Sequence, residues 1–350
     1  MAHFRGTDRK TDHGGAGPAV AAIVLVLLLA LGAGWYFLIY KRSAPIAAPS
    51  QTAAGSASEQ VILTGYRTMT SAVFSPDGNL VGAIGDEKTA YLYDHKAGKL
   101  VQQISEACCT MQSLAFSQDG KQLALGMNDT GGAVIVVLGL QDGKYQNRVR
   151  EIRQQAGRLY SVVFAGGGQQ LLTEIDSNAI TWDIATGAEV RRIEGGIAGG
   201  ICALSRAGDV IATGGSNYNE VTISGAASSE TRQKLTGNTK GILALAISPD
   251  GNTTASLSYD ATVRVWDTQT AAAKQVFQLR DLNDANALAF SNSGKMLAAG
   301  GDGIRIWNPA TGVQQQLFAS KETSSVAFSP DDRLLAATST HGTLTVWRVL

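Results

Sequence analysis

The stretch SPDGNTTASLSYDATVRVWD, Ser248 to Asp267, contains two turns and two short strands. SPDG and YDAT are turn sequences, because Pro, Asp and Gly favour the backbone angles of tight turns. TASLS alternates apolar and polar residues, and VRVWD is rich in the β-branched and aromatic residues that strands prefer. The segment therefore predicts a β-hairpin. It leaves open whether this hairpin carries chemistry or is one copy of a structural repeat.

The SPDG turn belongs to a unit that recurs along the chain. Seven segments combine a short apolar strand with a related turn, from SAVFSPDG at Ser71 to SVAFSPDD at Ser325. The apolar residues directly before these turns are Phe74, Phe116, Phe164, Leu204, Ile247, Phe290 and Phe328. Their spacing averages about 42 residues, and a period of about 40–45 residues with four short strands per unit is typical of propeller blades. The chain is therefore predicted to contain seven copies of one unit.

The second half of each unit carries a further repeating mark. An aromatic residue ends its last apolar strand in five units, namely Tyr93, Trp182, Trp266, Trp307 and Trp347. Leu138 takes this place in the second unit, and Ser224 stands there in the fourth unit, which departs most from the pattern. In four units a Gly follows five residues later and supplies the positive φ of a bulged hairpin turn: Gly98, Gly143, Gly187 and Gly312.

The units resemble the WD-repeat (WD40) β-propeller family over residues 59–350, and the fifth unit is the best match. The resemblance implies an all-β fold, a seven-bladed β-propeller of four-stranded antiparallel blades. It also implies a buried polar network of His, Ser or Thr, Asp and Trp within a blade. Ser256, Asp260 and Trp266 match three of these places, and Asn238 stands where the family usually has His.

The two ends of the repeat region complement each other. The seventh unit stops at VWRVL, which leaves its blade one strand short. EQVILTGYRTMTSAVF, from Glu59, aligns with RQKLTGNTKGILALAI before the fifth unit. Glu59–Leu63 is therefore predicted to form the outer strand of the last blade and to close the ring.

The first 58 residues differ in composition from the repeats. A short polar tail, residues 1–17, precedes 23 residues without charge, Pro18 to Tyr40. At about 1.5 Å per residue this stretch forms a helix of roughly 34 Å, enough to cross a bilayer. Aromatic residues gather at its end, and Lys41 and Arg42 follow, as at a membrane interface. A single-pass transmembrane helix is predicted over residues 18–40, with a cleaved signal peptide as the alternative.

The next segment, residues 41–58, is rich in Ala, Pro and Ser and is predicted to be a flexible linker. Basic residues flank both ends of the predicted helix, and their excess on the amino-terminal side favours a cytoplasmic amino terminus. The propeller is therefore predicted to be extracytoplasmic, and periplasmic if the protein is bacterial. Ala30 and Gly34 form a small-xxx-small pair, which indicates weak self-association through the anchor.

Composition and motifs give no indication of nucleic-acid binding or catalysis. Lys and Arg number 29, as do Asp and Glu, so the formal net charge is zero and no nucleic-acid partner is expected. Cys108 and Cys109 are adjacent, which indicates neither a disulfide framework nor a zinc site; they are a reactive thiol site or a partly buried structural pair. His95 and His341 fall in turns predicted to be exposed. We therefore expect no metal, no cofactor and no catalytic residue.

The most strongly charged stretch is KYQNRVREIRQQAGR, whose basic residues are Lys144, Arg148, Arg150, Arg153 and Arg158. In a strand, Arg148 and Arg150 are predicted to share a face, because side chains alternate with a period of two. One interpretation is contact with an anionic partner or a lipid headgroup. The other is a charged outer strand that prevents edge-to-edge aggregation.

The family resemblance and the predicted anchor together imply a membrane-tethered protein-interaction scaffold, which is not an enzyme. WD-repeat propellers commonly bind a protein or peptide with the loops between blades and between the second and third strands of a blade. The candidate binding residues in these loops are Tyr66, Arg67, Tyr218, Tyr259, Arg280 and Asp281. The alternative is an extracytoplasmic propeller enzyme or cofactor-binding protein, similar to quinoprotein or lactonase-type rings, which predicts acids and histidines along the channel.

Overall fold

The structure is a computed structural model that describes most of the repeat region. The described residues are 59–64, 66–86, 88–176, 178–193, 201–205, 209–225, 231–279, 287–301, 303–320 and 322–349. The predicted tail, transmembrane helix and linker, residues 1–58, lie outside them. Among the described residues, no helix has the length and hydropathy needed to cross a membrane.

The described strands form seven antiparallel sheets of four strands each, and each sheet is one blade. The first strand of the chain is β1 (Glu59–Leu63). Blade 1 contains β2 (Met69–Phe74), β3 (Leu80–Gly85), β4 (Thr89–Asp94) and β5 (Lys99–Ser105). Blade 2 contains β6 (Thr110–Phe116), β7 (Gln122–Asp129), β8 (Gly132–Gln141) and β9 (Lys144–Gln155). Blade 3 contains β10 (Leu159–Ala165), a 3₁₀ turn (Gly166–Gly168), β11 (Gln170–Ile175), β12 (Asn178–Asp183) and β13 (Glu189–Ile193).

The remaining blades repeat the same order. Blade 4 contains β14 (Ile201–Leu204), β15 (Val210–Gly215), β16 (Tyr218–Gly225) and β17 (Thr231–Leu235). Blade 5 contains β18 (Ile242–Ile247), β19 (Thr253–Ser258), β20 (Thr262–Asp267) and β21 (Ala273–Gln278). Blade 6 contains β22 (Leu288–Phe290), β23 (Leu297–Gly301), β24 (Gly303–Trp307) and β25 (Gln314–Phe318). Blade 7 contains β26 (Thr323–Phe328), β27 (Leu334–Ser339) and β28 (Leu344–Arg348), with β1 as its outer strand.

The blades close into a ring around their innermost strands. β2, β6, β10, β14, β18, β22 and β26 each contact the next strand in this series, and β26 contacts β2. β1 pairs antiparallel with β28, so the start of the repeat region completes the last blade. The predicted seven-bladed all-β propeller and its closure by Glu59–Leu63 are therefore confirmed.

The core lies between neighbouring blades. The middle strands are apolar on both faces, as expected for strands sandwiched between two layers. In β7 and β8, for example, five and seven consecutive residues are buried. Outer strands such as β5 alternate exposed and half-buried residues. One cluster joins Ile84 and Leu92 of blade 1 to Leu114 and Leu125 of blade 2, which shows how blades are held together by side-chain packing.

The recurring SPDG turns are built by a buried serine. Ser75 donates its hydroxyl hydrogen to Asp77 at 2.5 Å and accepts a hydrogen bond from the backbone N–H of Leu80 at 2.9 Å. Gly78 closes the turn at a φ of +70°, which glycine adopts without strain. Ser117, Ser248 and Ser329 make the same pair of bonds. The SPDG turn that begins at Ser248 therefore has a structural role.

Antiparallel topology gives the ring two distinct faces. The turns between first and second strands, such as residues 75–79, and between third and fourth strands lie on one face, here called the lower face. The turns between second and third strands, and the loops that join one blade to the next, lie on the upper face. Arg67 and Asp86 show this: the backbone N–H of Arg67, between β1 and β2, donates to Asp86, between β3 and β4, at 2.8 Å.

Candidate functional site

Three of the four predicted network residues in blade 5 form one buried chain of hydrogen bonds. The indole N–H of Trp266 donates to the Ser256 hydroxyl at 3.1 Å, and that hydroxyl donates to Oδ1 of Asn238 at 3.3 Å. All three side chains are buried. Blade 3 has a shorter version, in which Trp182 donates to Thr173 at 2.8 Å. These hydrogen bonds fix the indole inside the blade, and the Nδ2 of Asn238 is buried without a hydrogen-bond partner among the described residues.

Asp260, the fourth predicted network residue, makes its own hydrogen bonds and is not part of the Trp266–Ser256–Asn238 series. Its carboxylate accepts hydrogen bonds from the backbone N–H of Thr239 at 2.8 Å and from the backbone N–H of Thr262 at 3.0 Å. Arg264 lies 3.7 Å away as an ion-pair partner and donates to the carbonyl of Gly237. Asp260 thus ties the loop before blade 5 to the turn after β19, and it braces the upper face at this blade.

The predicted binding residues differ in their exposure. Tyr218 and Tyr259 are 42% and 46% exposed on the upper face of the adjacent blades 4 and 5. Arg67 is exposed as well. Tyr66 is buried: its ring lies 4.7 Å from that of Tyr91, and burial raises the pKa of its phenol. Tyr66 therefore packs in the interface between blade 7 and blade 1. The other two candidates, Arg280 and Asp281, lie outside the described residues.

Sequence reasoning missed a further aromatic residue on the upper face. Tyr160, on the innermost strand of blade 3, is 40% exposed. The guanidinium of Arg158 lies 5.7 Å from the centre of its ring, within the range of a cation–π contact. In the sequence, Arg158 is conspicuous only as part of the basic stretch. A signal is nevertheless present, because Arg-Leu-Tyr lies where the chain enters the first strand of blade 3, much as Tyr66 and Arg67 lie just before the first strand of blade 1.

The basic stretch is divided by a β-bulge, so the prediction that Arg148 and Arg150 share a face is wrong. Leu138 pairs with Arg148 and its neighbour Val137 pairs with Arg150, which leaves Val149 as an extra residue. Arg150 consequently points towards blade 3, where its Nε donates to the carbonyl of Ile184 at 2.9 Å. Strict alternation of side chains holds only in a regular strand, and this strand is irregular.

Two of the five basic residues of this stretch, Arg148 and Arg153, are paired with acids. Arg148 contacts Glu106 of the preceding blade at 2.7 Å and also pairs with Glu151. Arg153 contacts Asp129 and Glu151, both at 2.6 Å. Lys144 stands at the lower-face end of β9, whereas Arg158 lies in the upper-face loop that follows this strand. The arrangement fits a charged outer strand better than a binding patch for anions.

Each of the two histidines of the propeller, His95 and His341, lies close to an oxygen atom of a neighbouring residue. His95 is buried, in contrast to the exposed position predicted for it, and its Nε2 lies 2.9 Å from the carbonyl of Gly78. His341 is exposed, with Nδ1 3.3 Å from Glu322. Within the described ranges, no group of three or more His, Cys, Asp or Glu side chains is placed to hold a metal ion.

Adjacent cysteines form a disulfide at the edge of the upper face. Cys108 is bonded to Cys109 in the loop between β5 and β6, with Cα atoms 3.8 Å apart. Cys109 is buried and Cys108 is exposed. Adjacent cysteines are not spaced as a disulfide framework, so this bond was not predicted from the sequence. The free cysteine, Cys202 on β14 of blade 4, has its Sγ 3.7 Å from the hydroxyl of Ser161 on β10 of blade 3.

A buried carboxyl lies beside this free thiol. Glu174 on β11 is 2% exposed, and its Oε2 accepts a weak hydrogen bond from Ser161 at 3.4 Å. Its Oε1 is buried with no hydrogen-bond partner among the described residues. Burial raises the pKa of Glu174 to about 7, although Cys202 and Ser161 oppose the shift by hydrogen bonding. The interface between blades 3 and 4 therefore contains one group that titrates near neutrality.

The free energy of unfolding should fall as the pH rises from the ordinary pKa of a glutamate to the raised pKa of Glu174 in the folded protein. Between pH 4.5 and about 7 the folded protein retains a proton that the unfolded chain releases, so the free energy of unfolding decreases. Glu174→Gln should remove this dependence and stabilise the protein at pH 8, relative to the native chain, by roughly 2–3 kcal/mol. Urea denaturation of both proteins at pH 5 and pH 8 measures the difference. Glu220→Gln, at a half-exposed position, is the control, and equal pH profiles for Glu174→Gln and the native chain would contradict this assignment.

A cavity lies on the lower face, at the mouth of the central channel. Its volume is about 430 Å³. Every blade lines it with at least one apolar residue, and the lining includes all seven residues that mark the repeat: Phe74, Phe116, Phe164, Leu204, Ile247, Phe290 and Phe328. Sequence reasoning identified them only as markers of the repeat. Their recurrence could nevertheless have predicted a shared cavity, because equivalent positions in a closed ring of blades surround the same axis.

Two segments of the chain match a known protein family. Residues 229–267 and 314–348 match the family model for the WD domain, G-beta repeat. Each matched segment runs from the outer strand of one blade to the third strand of the next: β17 to β20 and β25 to β28. The predicted resemblance to WD-repeat propellers is thus supported at two places, both of which contain a Val-Trp pair near their end.

Curated relatives point to the same class of protein. The chain is 26% identical over 247 residues to cell division cycle 20.4, cofactor of APC complex, of Arabidopsis thaliana, covering 64% of this chain and 56% of that protein. It is 32% identical over 128 residues to small ribosomal subunit protein RACK1y of Oryza sativa subsp. japonica, covering 34% and 38%. It is 33% identical over 100 residues to target of rapamycin complex subunit LST8 of Saccharomyces cerevisiae, covering 27% and 32%. The chain thus spans from about a third to just over half of the length of these relatives.

Proposed function

We propose that this chain is a protein-interaction scaffold that binds a protein or peptide partner on its upper face and is tethered to a membrane by residues 18–40. The observation that carries the proposal is a series of exposed side chains on three successive blades. These are Arg158 with Tyr160 at blade 3, Tyr218 at blade 4 and Tyr259 at blade 5.

These side chains have the properties of binding hot spots. Tyr and Arg are enriched among the residues that dominate interface energies, because each buries a large area and also forms polar contacts. The three tyrosines are 40–46% exposed although most large apolar groups of the ring are buried. Asp260 and the loop it organises hold the backbone next to Tyr259 in one conformation, which lowers the entropy lost on binding.

The relatives support an assembly role. Cell division cycle 20.4 is a cofactor of a complex, RACK1y a ribosomal subunit protein and LST8 a complex subunit. An enzyme of the quinoprotein or lactonase type would place acids and histidines along the channel. The channel mouth on the lower face is lined instead mainly by phenylalanine and aliphatic residues. Both observations favour a binding ring over a catalytic one.

The first described strand begins on the lower face, opposite the proposed binding loops, because Glu59 pairs with Trp347 at the end of β28. We propose further that the propeller lies outside the cytoplasm. A topology reporter fused after Leu350 tests that location, and reporter activity on the cytoplasmic side would overturn it.

The binding proposal is tested by the double variant Tyr218→Ala and Tyr259→Ala. Chemical crosslinking in the native cells, followed by purification and mass spectrometry, should recover a defined set of partners with the unmodified chain. The double variant should recover them at least about tenfold less efficiently, because two hot-spot losses of about 1 kcal/mol or more combine. Val190→Ala, on the exposed outer strand β13, is the matched control. Unchanged recovery with the double variant, or turnover of a small molecule without any captured protein, would overturn the proposal.

A further inference from the structure

The cavity of the lower face is an open bowl with apolar residues on its floor and polar residues, among them Gln118, Ser205 and Asn292, in its wall. Its floor consists of the seven repeat-marking residues defined above, and Pro76, Pro249 and Pro330 extend its wall. Phe74, Phe116, Phe164 and Phe290 pack one side of their rings on the cores between blades and leave the other side half-exposed. With about 430 Å³, the bowl falls in the range of roughly 300–1,000 Å³ typical of binding pockets.

An acidic rim, formed by turns of five of the seven blades, stands outside the lining of this bowl. The described part of the turns between first and second strands contains six aspartates and three basic residues. The basic residues are Lys121, Lys295 and Arg333, and the aspartates are Asp77, Asp119, Asp209, Asp250, Asp331 and Asp332. Hydrogen bonds from Ser117, Ser248 and Ser329 hold the pKa values of Asp119, Asp250 and Asp331 below the usual value. The rim therefore stays negatively charged at any physiological pH.

The combination of bowl and rim selects the chemistry of an occupant. Bulky apolar side chains match the floor, and positive charges on both sides of them match the rim, because complementary potentials favour association. An anionic lipid surface is disfavoured by the same rim, since like charges repel. A phosphate-bearing ligand is disfavoured for the same reason.

We infer that the lower face is a second docking site, which accepts a segment of a partner protein carrying bulky apolar residues flanked by Lys or Arg. The segment inserts its apolar side chains between the phenylalanines of the bowl and places its cations over the aspartates of the rim. The site is separate from the upper face, on the opposite side of the ring, so the propeller has one binding surface at each end of its channel.

Val163 offers a substitution that tests the bowl without removing core packing. This residue lines the bowl on β10 and is 37% exposed. Val163→Lys places a cation among the apolar side chains and should repel the occupant. Val190→Lys, on β13 of the same blade, makes the same chemical change at a position 53% exposed on the outer strand and serves as the control.

The rim is tested by the triple variant Asp119→Asn, Asp250→Asn and Asp331→Asn. Asparagine keeps an oxygen that accepts the serine and backbone hydrogen bonds, so the turns remain intact while three charges disappear. Asp86→Asn combined with Asp176→Asn is the control, because these aspartates accept backbone hydrogen bonds in the upper-face loops.

The measurement is fluorescence anisotropy of the labelled peptide KKLWLKK with the purified full chain. EELWLEE and KKSNSKK test the charge and the apolar centre separately. KKLWLKK should bind, and the two comparison peptides should bind at least about tenfold more weakly. Val163→Lys should weaken KKLWLKK about tenfold, and the triple variant about fivefold at low salt with a smaller effect at high salt. Both control proteins should bind as the native chain does.

Several results would overturn this inference. They are equal binding of KKLWLKK to Val163→Lys and Val190→Lys, equal binding of EELWLEE, or no binding at about 1 mM peptide. Loss of peptide binding in the Tyr218→Ala and Tyr259→Ala variant, with retention in Val163→Lys, would place the peptide on the upper face instead. That outcome would end the lower-face inference while leaving the proposed function intact.

Discussion

Replacement of Trp266 by alanine should lower the free energy of unfolding by about 3–5 kcal/mol, the range for loss of a buried tryptophan. The indole is 2% exposed and packs with Val210, Ile242 and Leu245 between blades 4 and 5. The substitution leaves a large cavity and also removes the donor that binds Ser256. Chemical denaturation followed by circular dichroism measures the change.

Two further variants separate packing from hydrogen bonding at this site. Trp266→Phe keeps most of the ring and loses the N–H, so its cost should be smaller than that of alanine. Ser256→Ala leaves the indole N–H and the Asn238 side chain without this partner and should cost about 1–3 kcal/mol. If Trp266→Ala were as stable as the native chain, the indole would not be the centre of its blade.

Gly342→Val should destabilise the closed ring by about 4 kcal/mol or more, among the largest effects of single substitutions. Gly342 has a φ of +74°, where a β-branched residue is strained. A Cβ at this position would stand 1.8 Å from the backbone carbonyl oxygen of Tyr66. The substitution therefore forces apart the last blade and the segment between β1 and β2. Thermal and chemical unfolding both report the loss.

Gly143→Val is the matched control for this prediction. Gly143 has nearly the same φ, +73°, but a Cβ added there would meet no atom within 4 Å. The substitution should cost only the backbone strain, about 1–3 kcal/mol. Equal destabilisation by the two substitutions would show that the contact at Tyr66 does not hold the ring closed.

The fold could be predicted from the sequence because one pattern is repeated. No single unit is decisive, and blade 4 has Ser224 where five of the other blades have an aromatic residue. The structure nonetheless pairs Ser224 with Ile211, in the register in which Trp182 pairs with Leu171. Neighbouring blades impose the geometry of the ring on a divergent member, because each blade buries its apolar faces against the next.

The sites were less predictable, and the reasons are local. Tyr66 was expected in a binding loop, yet it fills the space beside Tyr91 and Gly85, which no repeat pattern reveals. The bulge at Val149 reversed the direction of Arg148 relative to Arg150. Whether a loop residue is exposed depends on contacts between blades, and these contacts vary from one blade to the next.

Site-specific photocrosslinking measures whether partners bind the upper face. A photoreactive amino acid is placed at Tyr218 or Tyr259 on the upper face, and at Val190 or Val276 on outer strands of the same ring; all four positions are 42–54% exposed. Illumination in the native cells should give the same protein adduct from Tyr218 and from Tyr259, and no such adduct from Val190 or Val276. Adducts of equal yield from the outer strands, or none from the upper face, would show that partners do not bind specifically at the upper face.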